Sequence, residues 1–354
     1  MSRFWSELAS RLTPYVPGEQ PRGTRLVKLN TNENPYPPAP GVLAAIAAVT
    51  GDQLRRYPDP DSSALREACA VREGLSPEQV FIGNGSDEVL AHAFAALLKH
   101  ETPLLFPDVT YSFYPVWSEL YGVECRPVPL REDFSVAVDD YRAGNGAILI
   151  ANPNAPTGVL LPLAEIRRLL DANRDAVVLV DEAYIDFGGE SAVALIPEYD
   201  NLLVVQTVSK SRSLAGLRVG VAYGHAELIE ALVRVKDSFN SYPLDTIAQQ
   251  AALASLQDEA WFRDCCGRVM ATRDFTVRGL EELGFEVLPS AANFVLARHP
   301  DHAGEALFTA LRERGIIVRY FNKPRISEFL RISIGTDEQM QELLSALSGI
   351  LAPR

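Results

Sequence analysis

Short apolar runs without alternation recur along the first two thirds of the chain. They are Val80-Phe-Ile82, Leu104-Leu-Phe106, Ala147-Ile-Leu-Ile150, Val177-Val-Leu-Val180, Leu202-Leu-Val-Val205 and Val219-Gly-Val-Ala222. Runs that stay apolar at successive positions suit strands covered on both faces. Amphipathic stretches at 86–99, 162–173 and 226–236 lie between them. Alternating β and α elements predict an α/β fold with a mostly parallel central sheet flanked by helices.

The texture changes at both ends. Residues 1–40 carry Pro14, Pro17, Pro21, Pro35, Pro37, Pro38 and Pro40. Proline fixes φ and removes a donor, so this segment is expected to be an extended arm without a helix, packed on the smaller domain or on a partner subunit. After about 245, helical patterns at 245–257, 260–283, 302–314 and 337–350 enclose short strands at 294–297, 316–319 and 330–334. The expected organisation is the arm (1–40), a large α/β domain (41–243) and a smaller α+β domain (244–354), with Tyr242-Pro243 as hinge.

Composition narrows the function. The chain has 354 residues, 47% of them hydrophobic, enough for two cores. A net charge of −13 argues against nucleic acid or an anionic membrane as the main partner. Cys69, Cys125, Cys265 and Cys266 form neither a disulfide framework nor a zinc pattern, and His299 and His302 form no metal motif. No metal is expected, and four ordinary thiols suit a reducing cytoplasm. The first residues show no apolar leader, and no apolar stretch is long enough to span a bilayer.

Candidate chemistry sits where the runs end. Asp181-Glu-Ala-Tyr184 follows the fourth run, and in a parallel sheet ligands bind at the carboxyl ends of strands. Val80-Phe-Ile-Gly-Asn-Gly-Ser-Asp-Glu88 passes from a strand through a glycine turn into a helix. It would offer the free N–H groups at Gly85, Ser86 and Asp87 to an anion. Ser209-Lys210 and Arg218 add a hydroxyl, an amine and a guanidinium. A lysine to form a Schiff base, an acid for a pyridine nitrogen, and an arginine with hydroxyls for a phosphate are the set that pyridoxal 5'-phosphate requires.

The motifs Leu12-Thr-Pro-Tyr15, Leu29-Asn-Thr-Asn-Glu-Asn-Pro35, Arg56-Tyr-Pro-Asp-Pro60, Gly85-Ser-Asp-Glu88, Asp181-Glu-Ala-Tyr184, Ser209-Lys210, Leu214-Ala-Gly-Leu-Arg218, Tyr242-Pro-Leu244 and Leu330-Arg-Ile-Ser-Ile-Gly335 fall in one order along the whole chain. In that order the chain resembles the fold-type I pyridoxal-phosphate aminotransferases, specifically the histidinol-phosphate aminotransferase family. The resemblance implies that Lys210 is the Schiff-base lysine and proton shuttle, that Asp181 pairs with the ring nitrogen, that Tyr184 faces the ring oxygen and that Tyr111 stacks on the ring. It implies that Gly85, Ser86, Asp87, Ser209 and Arg218 hold the phosphate. Tyr57 would reach the partner's cofactor in a homodimer, and Tyr15, Asn32, Tyr242, Asn293, Arg319 and Arg331 would line the substrate pocket.

One position departs from the family pattern. Where the family has Asn-Pro-Thr-Gly, this chain reads Asn152-Pro-Asn-Ala-Pro-Thr-Gly158, and Ala155 has no side-chain donor. Either Asn152 or Asn154 reaches the ring from nearby, or Tyr184 acts alone; Asn152 is the residue expected there. The expected reaction is transamination between a small-molecule amino donor and a keto acceptor, histidinol phosphate with 2-oxoglutarate. An aromatic amino-acid substrate, or lyase or decarboxylase chemistry on a phosphorylated amino acid, are the alternatives.

Overall fold

The computed structural model describes residues 3–20, 26–142 and 144–352. The apolar runs become the strands β1 (Val80–Gly83), β2 (Leu104–Pro107), β4 (Ala147–Ala151), β5 (Val177–Asp181), β6 (Leu202–Thr207) and β7 (Gly220–Gly224). A further strand, β3 (Cys125–Val128), was not expected. The sheet order is β1-β7-β6-β5-β4-β2-β3. All neighbours are parallel except β7, which runs antiparallel to β1 and β6. The inner strands are buried along nearly their whole length, as their unbroken apolar character requires. Strand β3 carries Arg126 and Pro127 exposed at the sheet edge, where proline costs no ladder bond.

Helices cover both faces. The helix Leu163–Asp171 buries Ile166, Leu169 and Leu170, spaced three and four apart, which places them on one stripe against the sheet. Helix α1 (Gly85–Ala96) and helix α2 (Ala226–Phe239) pack on each other on the opposite face.

A second sheet holds β8 (Glu286–Val287), β9 (Phe294–Arg298), β10 (Arg319–Tyr320) and β11 (Phe329–Ser333) in the order β10-β11-β9-β8, all antiparallel. Helix α3 (Glu259–Glu282) and the helix Asp337–Leu351 cover it. The stretch expected as one strand at 316–319 divides. Ile316–Ile317 pairs in parallel with Val27–Lys28 of the N-terminal segment, and only Arg319 and Tyr320 join the sheet. The helix Thr246–Gln257 packs against the helices Pro40–Ala47 and Ser63–Glu73, within the core of the larger sheet.

The N-terminal segment is not wholly extended. Glu7–Arg11 is a short helix, capped by Ser6 Oγ accepting from Ala9 N at 3.1 Å. The prolines that forbid a helix begin only at Pro14, so the residues before them are free to take one turn. Pro21 lies outside the described residues. No helix among the described residues is long and apolar enough to cross a membrane.

Candidate active site

The strand registers bring several chain ends to one edge of the large sheet. Gly83 and Thr207 both pair with Gly220, and Ala151 pairs with Asp181. A cavity of about 520 Å³ opens over this edge. Ser86, Asp87, Asp181, Ser209, Lys210 and Arg218 line it from the large sheet. Arg319 and Arg331 line it from the second sheet, Phe321 from just beyond its β10, and Tyr15, Thr31 and Asn32 from the N-terminal segment.

One end of the cavity suits a dianion. Gly85, Ser86 and Asp87 open helix α1, with their N–H groups free of helical partners. Arg218 donates to Asp87 at 3.1 Å and to Ser209 Oγ at 3.5 Å. Glycine is required twice here. A Cβ on Gly85, whose φ is +83°, would lie 2.5 Å from the Arg218 guanidinium. A Cβ on Gly220 would lie 2.4 Å from the backbone of Gly85 and Ser86. The absence of both side chains lets the helix start, the arginine and β7 meet.

Asp181 closes β5 and is buried. Its Oδ2 accepts from the Tyr114 hydroxyl at 2.7 Å and its Oδ1 from Ala183 N at 3.3 Å. Burial raises its pKa to about 6 against the pull of those two bonds. No cation pairs with it among the described residues, so a protonated heterocycle is a fitting partner. Tyr111 lines the cavity, donates to Asp87 at 3.2 Å and meets Tyr114 edge-on with centroids 5.5 Å apart.

Lys210 presents its amine to the same space. Nζ donates to Thr31 O at 3.3 Å and lies 5.9 Å from the Tyr184 ring centroid. The turn around it is tied down on three sides. Asn34 donates to Lys210 O at 3.0 Å, Ser211 Oγ to Asp186 at 2.5 Å, and Arg212 to Ser255 O at 2.6 Å. Such ties remove rotational freedom from an amine that must meet a substrate atom.

The opposite end is cationic. Arg331 donates from Nη2 to Asn30 O at 2.7 Å, while its buried Nε has no partner. Arg319 stacks over Phe321 at 5.3 Å and, among the described residues, has no acidic partner. Burial lowers the Arg331 pKa, and the nearby Arg319 adds like-charge repulsion. Two guanidiniums left this way call for an anion.

Several expected residues lie elsewhere. Asn152 does not face the cavity: its amide donates to Leu161 O at 3.0 Å and accepts from Leu161 N at 2.8 Å. Asn154 is equally engaged, donating to Val109 O at 2.9 Å and Thr157 Oγ1 at 3.0 Å and accepting from Thr110 Oγ1 at 2.9 Å. The cavity wall at this point is the Ala155 methyl, which packs with Ala292, Phe294 and Tyr184. Asn293 is buried beneath the cavity and donates to Asn32 O at 2.9 Å, so it braces the wall and does not line it. Tyr242 is outside this chain's own cavity. It stacks on the exposed Tyr57, centroids 4.6 Å apart, and neither ring lines the cavity. Tyr114, Thr31 and Asn34 were missed, since an aromatic in a run of aromatics and backbone-directed contacts leave no periodic signal.

Comparison with known proteins agrees with this geometry. Residues 24–347 match the profile of the family described as aminotransferase class I and II. Histidinol-phosphate aminotransferase 2 of Thiobacillus denitrificans is 62% identical over 350 residues, 99% of this chain and 98% of its own. The corresponding protein of Dechloromonas aromatica is 61% identical over 354 residues, 99% of each chain. The crystal structure of histidinol-phosphate aminotransferase from Sinorhizobium meliloti in complex with pyridoxal-5'-phosphate is 25% identical. It superposes with a TM-score of 0.88 over 99% of this chain and 98% of that one. The chain therefore belongs to the aminotransferase class I and II family and, within it, to the histidinol-phosphate aminotransferases.

Proposed function

We propose that this protein uses pyridoxal 5'-phosphate to transfer an amino group between L-histidinol phosphate and 2-oxoglutarate, giving 3-(imidazol-4-yl)-2-oxopropyl phosphate and L-glutamate, as a step of histidine biosynthesis. The observation that carries the substrate is the uncompensated cationic end of the cavity, above all the unpartnered Nε of Arg331 beside Arg319. Histidinol phosphate brings a phosphate of nearly two charges to that end, and 2-oxoglutarate and glutamate bring a carboxylate. Phenylalanine and tyrosine bring only one carboxylate, with a neutral ring.

The residues fit the cofactor. The helix start at Gly85–Asp87, with Ser209 and Arg218, would hold its phosphate. Asp181 would face its ring nitrogen and Tyr111 its ring face. The cofactor supplies the sink for the electrons of a carbanion at the substrate Cα. The protein's own work is to bind, orient and move one proton. Lys210 Nζ would take the proton from the substrate Cα and hand it to the cofactor's aldehyde carbon. Arg331 and Arg319 fix the distal anion, so that the Cα–H bond faces Lys210. Tyr15 closes the substrate side, stacked on Phe113 with centroids 4.6 Å apart.

The active unit in this reading is a cytoplasmic homodimer. The large unit, whose core also takes in the helix Thr246–Gln257, and the smaller unit that follows form the cavity with the N-terminal arm. The exposed Tyr57–Tyr242 pair is offered to the cofactor site of a second copy. The deciding measurement is the absorption spectrum of the cofactor-loaded protein as histidinol phosphate and then 2-oxoglutarate are added. Reversible interconversion of two bands, with kcat/KM for histidinol phosphate above that for phenylalanine and tyrosine, is expected. Lys210→Ala should abolish turnover, and near-normal turnover in that variant would remove the assignment.

A further inference from the structure

Tyr184 carries a hydroxyl on the cavity wall, and its hydrogen bonding is one-sided. Its oxygen accepts from Asn32 Nδ2 at 3.0 Å. Its own proton has no protein acceptor among the described residues, because the wall beside it is the Ala155 methyl with Ala292 and Phe294. A hydroxyl that already accepts a bond is a stronger donor, and here the proton can go only into the cavity.

Asn32 is held so that no other arrangement is available. It is buried, with φ +55°, a conformation that asparagine tolerates better than most residues. Its backbone N donates to Ser333 Oγ at 2.9 Å, and the Ser333 hydroxyl donates back to Asn32 Oδ1 at 2.8 Å. With Oδ1 engaged, the amide nitrogen faces Tyr184. Asn293 Nδ2 locks the Asn32 carbonyl from below at 2.9 Å. Ser333 lies on β11, two residues beyond Arg331, whose guanidinium holds the Asn30 carbonyl at 2.7 Å. One strand of the second sheet thus fixes both Asn32 and the arginine at the anion end.

We infer that Asn32 is a positioning residue that makes Tyr184 the sole hydrogen-bond donor to the cofactor's ring oxygen, taking the place of a direct amide donor at Ala155. The inference rests on the proposed use of pyridoxal phosphate, and it assigns Asn32 a role through Tyr184 in place of a role in contacting substrate. A donor to the ring oxygen favours its anionic form. Loss of that donor therefore raises the pH midpoint of the visible absorption of the loaded protein.

The test is a pH titration of that absorption in holoenzyme variants, without turnover. Tyr184→Phe should raise the midpoint by about one pH unit, the effect of losing one hydrogen bond to a charged group. Asn32→Gly tolerates positive φ, removes the donor to Tyr184 and also releases the Ser333 hydroxyl from Oδ1. It should raise the midpoint by less, and adding Asn32→Gly to Tyr184→Phe should raise it no further. Ser333→Ala frees the amide and should shift the midpoint in the same direction, which covers the case in which Asn32→Gly does not fold. An unchanged midpoint in the folded single variants, or an equal added shift in the Tyr184→Phe background, overturns the inference while leaving the cofactor assignment intact. No visible band on adding pyridoxal phosphate to the wild-type protein overturns the functional reading and the inference with it.

Discussion

The Tyr114 hydroxyl donates to Asp181 Oδ2 at 2.7 Å, with both residues buried. Tyr114 opens the helix Tyr114–Tyr121, and its ring is wedged edge-on between Phe106 and Tyr111, with centroids 6.0 and 5.5 Å away. The contact fixes where the carboxylate points. It also opposes the burial that lifts the Asp181 pKa to about 6. A residue that stabilises the ionised acid is one that supports a cationic ring above it.

Tyr114→Phe should therefore weaken cofactor binding. Removing one hydrogen bond to a charged group costs roughly 1.5 kcal/mol, about a tenfold loss of affinity. The Asp181 pKa should rise further, so the loss should grow as pH falls below neutrality. Fluorescence titration of cofactor-free protein with pyridoxal phosphate at two pH values measures both. Unchanged affinity would show that Ala183 N alone orients the acid.

Much of this site was legible in the residues because it hangs on strand ends. Unbroken apolar runs mark inner strands, and the polar residues that follow them, Asp181 and Ser209-Lys210, fall at the sheet edge by necessity. What escaped depends on contacts with no local pattern. Strand β3 has no apolar run because it is an edge strand. Asn152 and Asn154 look free in the sequence, yet both amides are consumed by protein partners, Asn152 within its own loop and Asn154 chiefly across to Val109 and Thr110. The Asn32–Tyr184 pair joins residues 152 positions apart. Tyr242 lies outside this chain's own cavity, stacked on Tyr57.

Glu182 stands beside Asp181 and is buried, accepting from Ser191 Oγ at 2.6 Å, Ala192 N at 2.7 Å and Gln206 at 2.9 Å. Burial outweighs these bonds and raises its pKa from 4.5 to about 7. A raised folded pKa means that its contribution to stability is whole below 4.5 and is lost as pH rises through about 7. Wild type should therefore lose stability relative to Glu182→Gln across that window, by an amount of order 2–3 kcal/mol. Urea unfolding of the cofactor-free proteins at pH 4.5 and 7.5 measures the difference, and parallel stability curves would refute the shift.

Gly220→Ala should damage the anion cradle without touching a polar group. The new methyl would sit 2.4 Å from the carbonyl carbon of Gly85 and the nitrogen of Ser86, both backbone atoms that cannot rotate aside. Either β7 or the start of α1 must move, at a cost of about 1–3 kcal/mol. Since the displaced atoms include the donor at the helix start, affinity for inorganic phosphate and for pyridoxal phosphate should fall together. Isothermal titration with each ligand, set beside a thermal melt, separates this from simple loss of folding. Retention of both affinities would mean that the helix start is not the phosphate site.

Arg331→Met should separate activity from stability. The wild-type guanidinium is stranded: Nε is buried without a partner, burial lowers its pKa, and Arg319 repels it. Methionine fills a similar volume between Phe294 and Phe321, the rings that flank the guanidinium at 5.4 and 5.5 Å. Removing an uncompensated cation offsets the lost bond to Asn30 O, so the thermal midpoint of the cofactor-free protein should hold or rise. Turnover should fall, because the charge is what meets the distal anion. A drop of roughly 10²–10³-fold in kcat/KM for histidinol phosphate is expected from losing a charge-assisted pair. If the anion meets Arg331 chiefly in the bound ground state, the loss will appear in KM; if orientation of the Cα–H bond depends on it, kcat will fall as well. A variant that is both less stable and fully active would place the distal anion elsewhere in the cavity.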